Sequence, residues 1–113
     1  MIINKIKNRI KPGEMIPKPK TKNQKIVGWF RNKKGELCLQ YKIKNKSIKN
    51  IPDYCLESAY EQLQTGLLTK KWLVEKFPNI ASQGCSFTTI GGIFKYLKYA
   101  EYDKPGKYIL VKK

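Results

Sequence analysis

Residues 85–112, CSFTTIGGIFKYLKYAEYDKPGKYILVK, decide the fold of the C-terminal half of this chain. Their apolar side chains first recur at steps of three and four residues, the spacing of one buried stripe on a helix. Ser86 precedes this stripe and is an N-cap residue type, whose side-chain oxygen accepts a bond from a free backbone N–H. The members of the stripe are Phe87, Ile90, Phe94 and Leu97.

The hydrophobic period changes after this helix. Residues 101–103 and 108–111 are short runs that favour strands, and the turn sequence 104–107, Lys-Pro-Gly-Lys, separates them. The stretch therefore predicts a helix over 86–98 and then a small two-stranded wing over 99–112.

The opposite side of the predicted helix is short or polar at its start and basic or aromatic later. A helix that enters a nucleic-acid groove needs such a face, because bulky apolar groups would hold its backbone away from the bases. We expect the following residues to be exposed and to face nucleic acid: Thr88, Thr89, Gly92, Lys95 and Tyr96.

Charge is the strongest feature of the composition. The 113 residues include 24 basic and 8 acidic ones, a formal net charge of +16, and residues 1–50 contain only Glu14 and Glu36 as acids. A biased genome composition would raise Glu together with Lys, yet Glu is scarce. Such a field attracts polyanions. Because Lys far outnumbers Arg, the contacts we expect are with phosphates rather than with guanine edges.

Residues 1–25 are rich in Lys and Pro and predict a flexible basic arm. Ile3, Ile6 and Ile10 share one face of a possible short helix, which is too short to be stable alone in water. We expect the arm to become ordered on binding, with Lys18 and Lys20 along a phosphate track. The alternative is a disordered tail that only adds solubility.

Residues 26–51 predict a three-stranded antiparallel meander, with strands near 26–31, 37–44 and 47–51. Lys42 and Lys44 belong to the basic face opposite the apolar one, and we expect them to contact phosphates. The aromatic residues of these strands have two interpretations: stacking of single-stranded bases, or core and cross-strand packing. These aromatic residues are Trp29, Phe30 and Tyr41.

Residues 52–113 predict a three-helix unit that packs with the meander as one α+β domain. Helix 53–64 begins at a proline and ends at Gly66, a short extended piece covers 67–68, and helix 70–77 has Thr69 as its N-cap. Residues 78–84 predict a polar connection. On the first helix Asp53, Glu57 and Glu61 share a face, which is typical of a solvated surface rather than of a metal site.

This order of elements resembles the winged helix-turn-helix family. GLLTKKWLVEKFP is similar to its first short strand and second helix, and SFTTIGGIFKYLKYAEYDKPGKYILV to its recognition helix and wing. The connection from 78 to 85 departs from the family by being longer. The resemblance implies that the third helix lies in the DNA major groove and that the wing touches the backbone. It implies phosphate contacts through these residues: Ser82, Gln83, Ser86, Lys104 and Lys107.

Several kinds of chemistry have no candidate residues in the sequence. There is no His for acid–base work and no Gly-rich phosphate loop, and three widely spaced cysteines make no zinc pattern. We therefore expect no enzyme, no metal and no cofactor. Reduced cysteines, and no signal peptide or membrane span, favour a cytoplasmic protein, nucleoid-associated if bacterial.

The sequence thus predicts a small protein that binds double-stranded DNA, such as a transcription regulator or part of a phage or mobile element. Two alternatives stay open. One is an RNA- or ribosome-associated protein. The other is an interaction protein, such as a phage-type inhibitor, with a protein partner in a nucleic-acid-handling machine.

Overall fold

A computed structural model describes residues 2–16, 24–42, 48–83 and 86–111 and has an α+β architecture with antiparallel sheets. The helices are α1 (Ile2–Arg9), α2 (Asp53–Gln64), α3 (Lys70–Lys76), α4 (Pro78–Ala81) and α5 (Ser86–Tyr96). The strands are β1 (Met15–Ile16), β2 (Gln24–Arg31), β3 (Leu37–Lys42), β4 (Ile48–Pro52), β5 (Leu67–Thr69), β6 (Ala100–Lys104) and β7 (Lys107–Leu110).

The described part of the predicted N-terminal arm belongs to the fold, so the arm prediction is wrong for residues 2–16. Helix α1 packs against α2, and β1 pairs with β2. An eight-residue helix is unstable alone in water, but here its apolar stripe lies in the core, which stabilises it. The buried residues of this segment are Ile2, Ile3, Ile6, Ile10 and Ile16. Lys18 and Lys20 lie outside the described residues.

The N-terminal sheet has the strand order β1-β2-β3-β4, and it contains the three predicted strands of the meander plus β1. Its inner face contributes Leu39, Tyr41 and Ile51 to the core. Tyr41 is fully buried and Trp29 packs against the same cluster. The core interpretation of these two aromatic residues is therefore confirmed, whereas Phe30 is half-buried.

Helix α2 begins and ends as its sequence predicts. Pro52 is extended at the N-cap, and Asp53 places a negative charge in the first turn, where the helix dipole favours it. Gly66 follows the C-cap with φ +123°, a conformation that L side chains rarely adopt. This glycine lets the chain turn directly into β5.

The prediction for helix α3 is confirmed at its start, whereas the segment after this helix differs from its prediction. The Thr69 hydroxyl accepts a hydrogen bond from the Trp72 N–H at 3.1 Å, which confirms Thr69 as the N-cap of α3. Residues 78–81 form the short helix α4 instead of an irregular connection, with Pro78 at its first position. Proline is tolerated there because the first N–H of a helix has no partner within the helix.

The C-terminal sheet has the order β5-β7-β6, so the chain's last strand lies in its centre. The predicted hairpin is present: β6 and β7 pair antiparallel around residues 105 and 106. Helix α5 ends at Tyr96, two residues earlier than predicted, and Lys98 with φ 66° turns the chain toward β6.

Candidate nucleic-acid interface

Helix α5 does not present the face that its sequence suggested. Ser86 and Thr89 are 2% and 0% exposed, and Gly92 is buried, so the prediction that these three residues face a ligand is wrong. Thr88 and Tyr96 are half-buried, and only Lys95 is exposed. A helix that is buried nearly all round lies within a core.

The N-terminal sheet explains why this second face of α5 is covered. Thr89, Gly92 and Tyr96 are spaced by three and four residues, so they share one side of the helix. On that side α5 packs against β1, and the Tyr96 hydroxyl donates a short hydrogen bond to the carboxylate of Glu14. This carboxylate raises the pKa of Tyr96, because it favours the protonated phenol. Small residues here allow a sheet, rather than a DNA groove, to approach the helix.

The other sheet packs on a different side of the same helix. A Cβ atom built on Gly91 would lie 2.1 Å from Cε2 of Tyr108 in β7, so only glycine admits this ring. Phe87, one turn earlier, has its ring centroid 5.5 Å from that of Tyr108. Helix α5 therefore lies between the two sheets, and the strip that reaches solvent contains Thr88 and Lys95.

The predicted phosphate contacts before α5 have structural roles. The Gln83 side-chain oxygen accepts a hydrogen bond from the backbone N–H of Asn50 at 3.3 Å, which covers part of the edge of β4. The Ser82 hydroxyl is exposed and donates to the carbonyl of Asn79 at 2.8 Å. Ser82 is thus exposed, Gln83 is half-buried and Ser86 is buried.

The hairpin of β6 and β7 is basic at its tip, as predicted. Lys104 is exposed, and Lys107 is half-buried with its ammonium 3.5 Å from the carboxylate of Asp103. The backbone N–H of Lys70 donates to the carbonyl of Gly106 at 2.9 Å, so the start of α3 adds a third lysine to this corner. We call Lys70, Lys104 and Lys107 the wing cluster. Lys70 was missed, because only the pairing of β5 with β7 brings it to the hairpin.

The outer face of the N-terminal sheet carries a second set of lysines. Cross-strand partners run in one row over all four strands: Met15 faces Lys25, Lys25 faces Lys42, and Lys42 faces Ile48. Lys25 is exposed and Lys42 is half-buried. Lys42 was predicted, Lys25 was missed, and Lys44 lies outside the described residues. A lysine at the start of a strand gives no signal of the partner it will face.

Helix α1 carries a further set of basic residues. Its solvent side is basic, with the Lys5 ammonium 5.7 Å from the centre of the Tyr99 ring and the Lys7 ammonium 5.3 Å from that of Trp29. Glu14 is the single acid of residues 1–35, and its carboxylate accepts a hydrogen bond from the Tyr96 hydroxyl. We call the following set the N-terminal basic surface: Lys5, Lys7, Arg9, Lys11, Lys25 and Lys42.

Comparisons with known protein families, with curated proteins and with solved structures find no match.

The described cysteines are not arranged for reactivity. Cys38 and Cys55 are buried free thiols. Burial raises the pKa of Cys55 to about 12, and burial, assisted by the nearby charges of Glu36 and Asp53, raises the pKa of Cys38. A nucleophilic cysteine needs the opposite shift.

The described residues also offer no set of side chains that could bind a metal ion. No group of three or more Cys, Asp or Glu side chains that could hold a metal ion occurs within the described ranges. Among the same residues, no helix is long and apolar enough to cross a membrane.

Proposed function

We propose that this protein is a non-enzymatic nucleic-acid-binding protein that holds the sugar-phosphate backbone with lysines, double-stranded DNA being the first ligand to test. The N-terminal basic surface carries this proposal. Residues 1–42 contain two acids, Glu14 and Glu36, so the six positive side chains outnumber the acids near them in sequence. A positive surface with few counter-charges of its own releases counterions from a polyanion on binding, which favours association at low salt.

The proposed contacts position the ligand without reading its sequence. Lysine presents a hydrated point charge to phosphate, whereas base-edge recognition relies on forked or bidentate side chains. Helix α5 has little to add, because most of its polar and small residues are buried. We therefore expect similar affinity for unrelated sequences of equal length.

We also propose a winged-helix type of arrangement for residues 52–111. The order α2, β5, α3, α5, β6, β7 and the strand order β5-β7-β6 support it. The difference from a groove reader is the N-terminal sheet, which covers one side of α5. In this arrangement the wing cluster supplies backbone contacts, while α5 serves as the core helix between the two sheets.

Salt titration of duplex binding tests the proposal. At about six phosphate contacts, the slope of log K against log salt is about −5. Each lost contact makes this slope less steep by about 0.9. The double variant Lys25→Gln/Lys42→Gln should therefore flatten the slope by about 2. The control is Lys33→Gln/Lys34→Gln, which removes the same charge from an exposed turn at the opposite end of β2 and β3.

Two results count against the proposal. Equal losses in the two double variants mean that net charge alone acts and that the N-terminal basic surface is not the interface. A wild-type protein that binds no duplex DNA at 50 mM salt removes double-stranded DNA as the ligand, and the same titration with duplex RNA then tests the other kind of duplex.

A further inference from the structure

The central pair of the outer row places two like charges side by side. Lys25 and Lys42 are Cα partners on neighbouring antiparallel strands, and directly opposed side chains of this kind lie about 5 Å apart at Cβ. Like charges in such a pair destabilise the sheet. Neither ammonium forms an ion pair with any acid of the described ranges. An anion held between the two lysines would remove the repulsion.

An open depression lies beside this pair on the same face of the sheet. Its volume is about 360 Å³, at the small end of the range for ligand pockets. Part of its rim is hydrogen-bonded backbone: the Gly13 N–H donates to the Ile26 carbonyl at 2.6 Å, and the Ile26 N–H donates to the Glu14 carbonyl at 2.8 Å. The lining residues are Gly13, Lys25, Ile26, Val27, Lys42 and Ile48.

Two apolar side chains, Val27 and Ile48, form part of the wall of the depression. Ile48 is 47% exposed, and Met15, at the other end of the cross-strand row, is 46% exposed. Val27 occupies the extra position where the register shifts between Ile26 and Gly28, so it has no cross-strand partner in β3. A bulge of this kind re-aims a side chain and interrupts pairing. The depression thus combines two cations with an uncovered apolar wall.

We propose that this depression binds one unpaired nucleotide of a single-stranded nucleic acid. The phosphate lies between the Lys25 and Lys42 ammonium groups, and the base lies against Val27 and Ile48. A base inside a duplex is stacked and cannot reach such a wall, whereas every unstacked base offers an apolar face. Because every base offers such a face, the contact is tolerant of sequence. This inference rests on the proposed function, and it adds that the depression binds the single-stranded form of nucleic acid.

The test compares an apolar wall residue with a matched surface residue. Ile48→Ser alters the wall, and Val74→Ser alters a side chain on α3 that is equally exposed, at 47%. Twelve-nucleotide oligo-dT and a 12-base-pair duplex are titrated into the full-length protein at one salt concentration. We expect Ile48→Ser to weaken oligo-dT binding by about three- to tenfold and to leave duplex binding unchanged, with Val74→Ser changing neither. Lys25→Gln/Lys42→Gln should weaken both.

Each other outcome identifies which idea fails. If oligo-dT affinity is the same in both serine variants, the nucleotide site is wrong, while duplex binding that is sensitive to Lys25 and Lys42 keeps the proposed function. If neither nucleic acid binds, both ideas fail. If Ile48→Ser loses binding to phosphatidylserine vesicles instead of oligo-dT, the depression belongs to a membrane contact and the nucleotide assignment is overturned.

Discussion

Gly91→Ala tests how the C-terminal sheet is held on α5. The new Cβ would lie 2.1 Å from Cε2 and 2.3 Å from Cζ of Tyr108. Carbon atoms pack at about 3.5–4.0 Å, so the ring has to move by about 1 Å or more. Tyr108 is 1% exposed and its ring lies between those of Phe87 and Tyr102, at 5.5 and 5.6 Å between centroids. The ring therefore has no open space to move into.

The expected magnitude follows from two opposing effects. Overpacking of a core costs about 1–3 kcal/mol, whereas replacing glycine by alanine inside a helix stabilises it by about 1 kcal/mol. Because the buried ring has little room to move, we take an overpacking cost of about 2–3 kcal/mol. After the gain of about 1 kcal/mol from alanine, we expect Gly91→Ala to lower the free energy of unfolding by about 1–2 kcal/mol.

Urea denaturation of a double-mutant cycle measures this effect. In a Tyr108→Leu background the ring is gone, so Gly91→Ala should be neutral or stabilising by up to about 1 kcal/mol. The coupling between the two sites is then about 2 kcal/mol, within the range for residues in contact. A Gly91→Ala protein that is more stable than the wild type in the native background would refute the packing of Tyr108 against this glycine.

Three further predictions concern single contacts. Tyr96→Phe removes the hydrogen bond to Glu14 and should lower the urea midpoint of unfolding; an equal decrease in a Glu14→Ala background, which has no acceptor, would show that the two side chains do not interact. Thr69→Ala removes the acceptor of the Trp72 N–H and should cost about 1 kcal/mol; no change in unfolding free energy would contradict the N-cap. Burial raises the pKa of Tyr108 to about 12. This folded-state pKa lies above the unfolded value of about 10. The contribution of the protonated phenol to the free energy of unfolding is therefore complete below pH 10 and is lost as the pH rises toward 12. Tyr108→Phe should therefore flatten the alkaline loss of stability, relative to its own value at pH 7; an unchanged slope would argue against a protonated buried phenol.

Local pattern was sufficient for much of the fold. The proline and acid at the start of α2, Gly66 at its end and the Thr69 N-cap each act within a few residues, so the boundaries of α2 and the start of α3 were predictable. Alternating apolar residues predicted the strands of the meander for the same reason. The site was less predictable, because Lys25 and Lys70 acquire their neighbours only through strand pairing.

The α+β class, most of the secondary structure and a large positive charge concentrated in residues 1–50 follow from the amino-acid pattern alone. What covers each surface depends on how the elements pack. Periodicity shows that one stripe of a helix is buried, but a face of small residues such as Thr89 and Gly92 is compatible with a ligand, with solvent or with another element. The N-terminal segment covers that face, and its own isoleucines are buried because partners distant in sequence pack around them. Burial is a property of the assembled core, and a local pattern does not contain the identity of the distant segment that completes it.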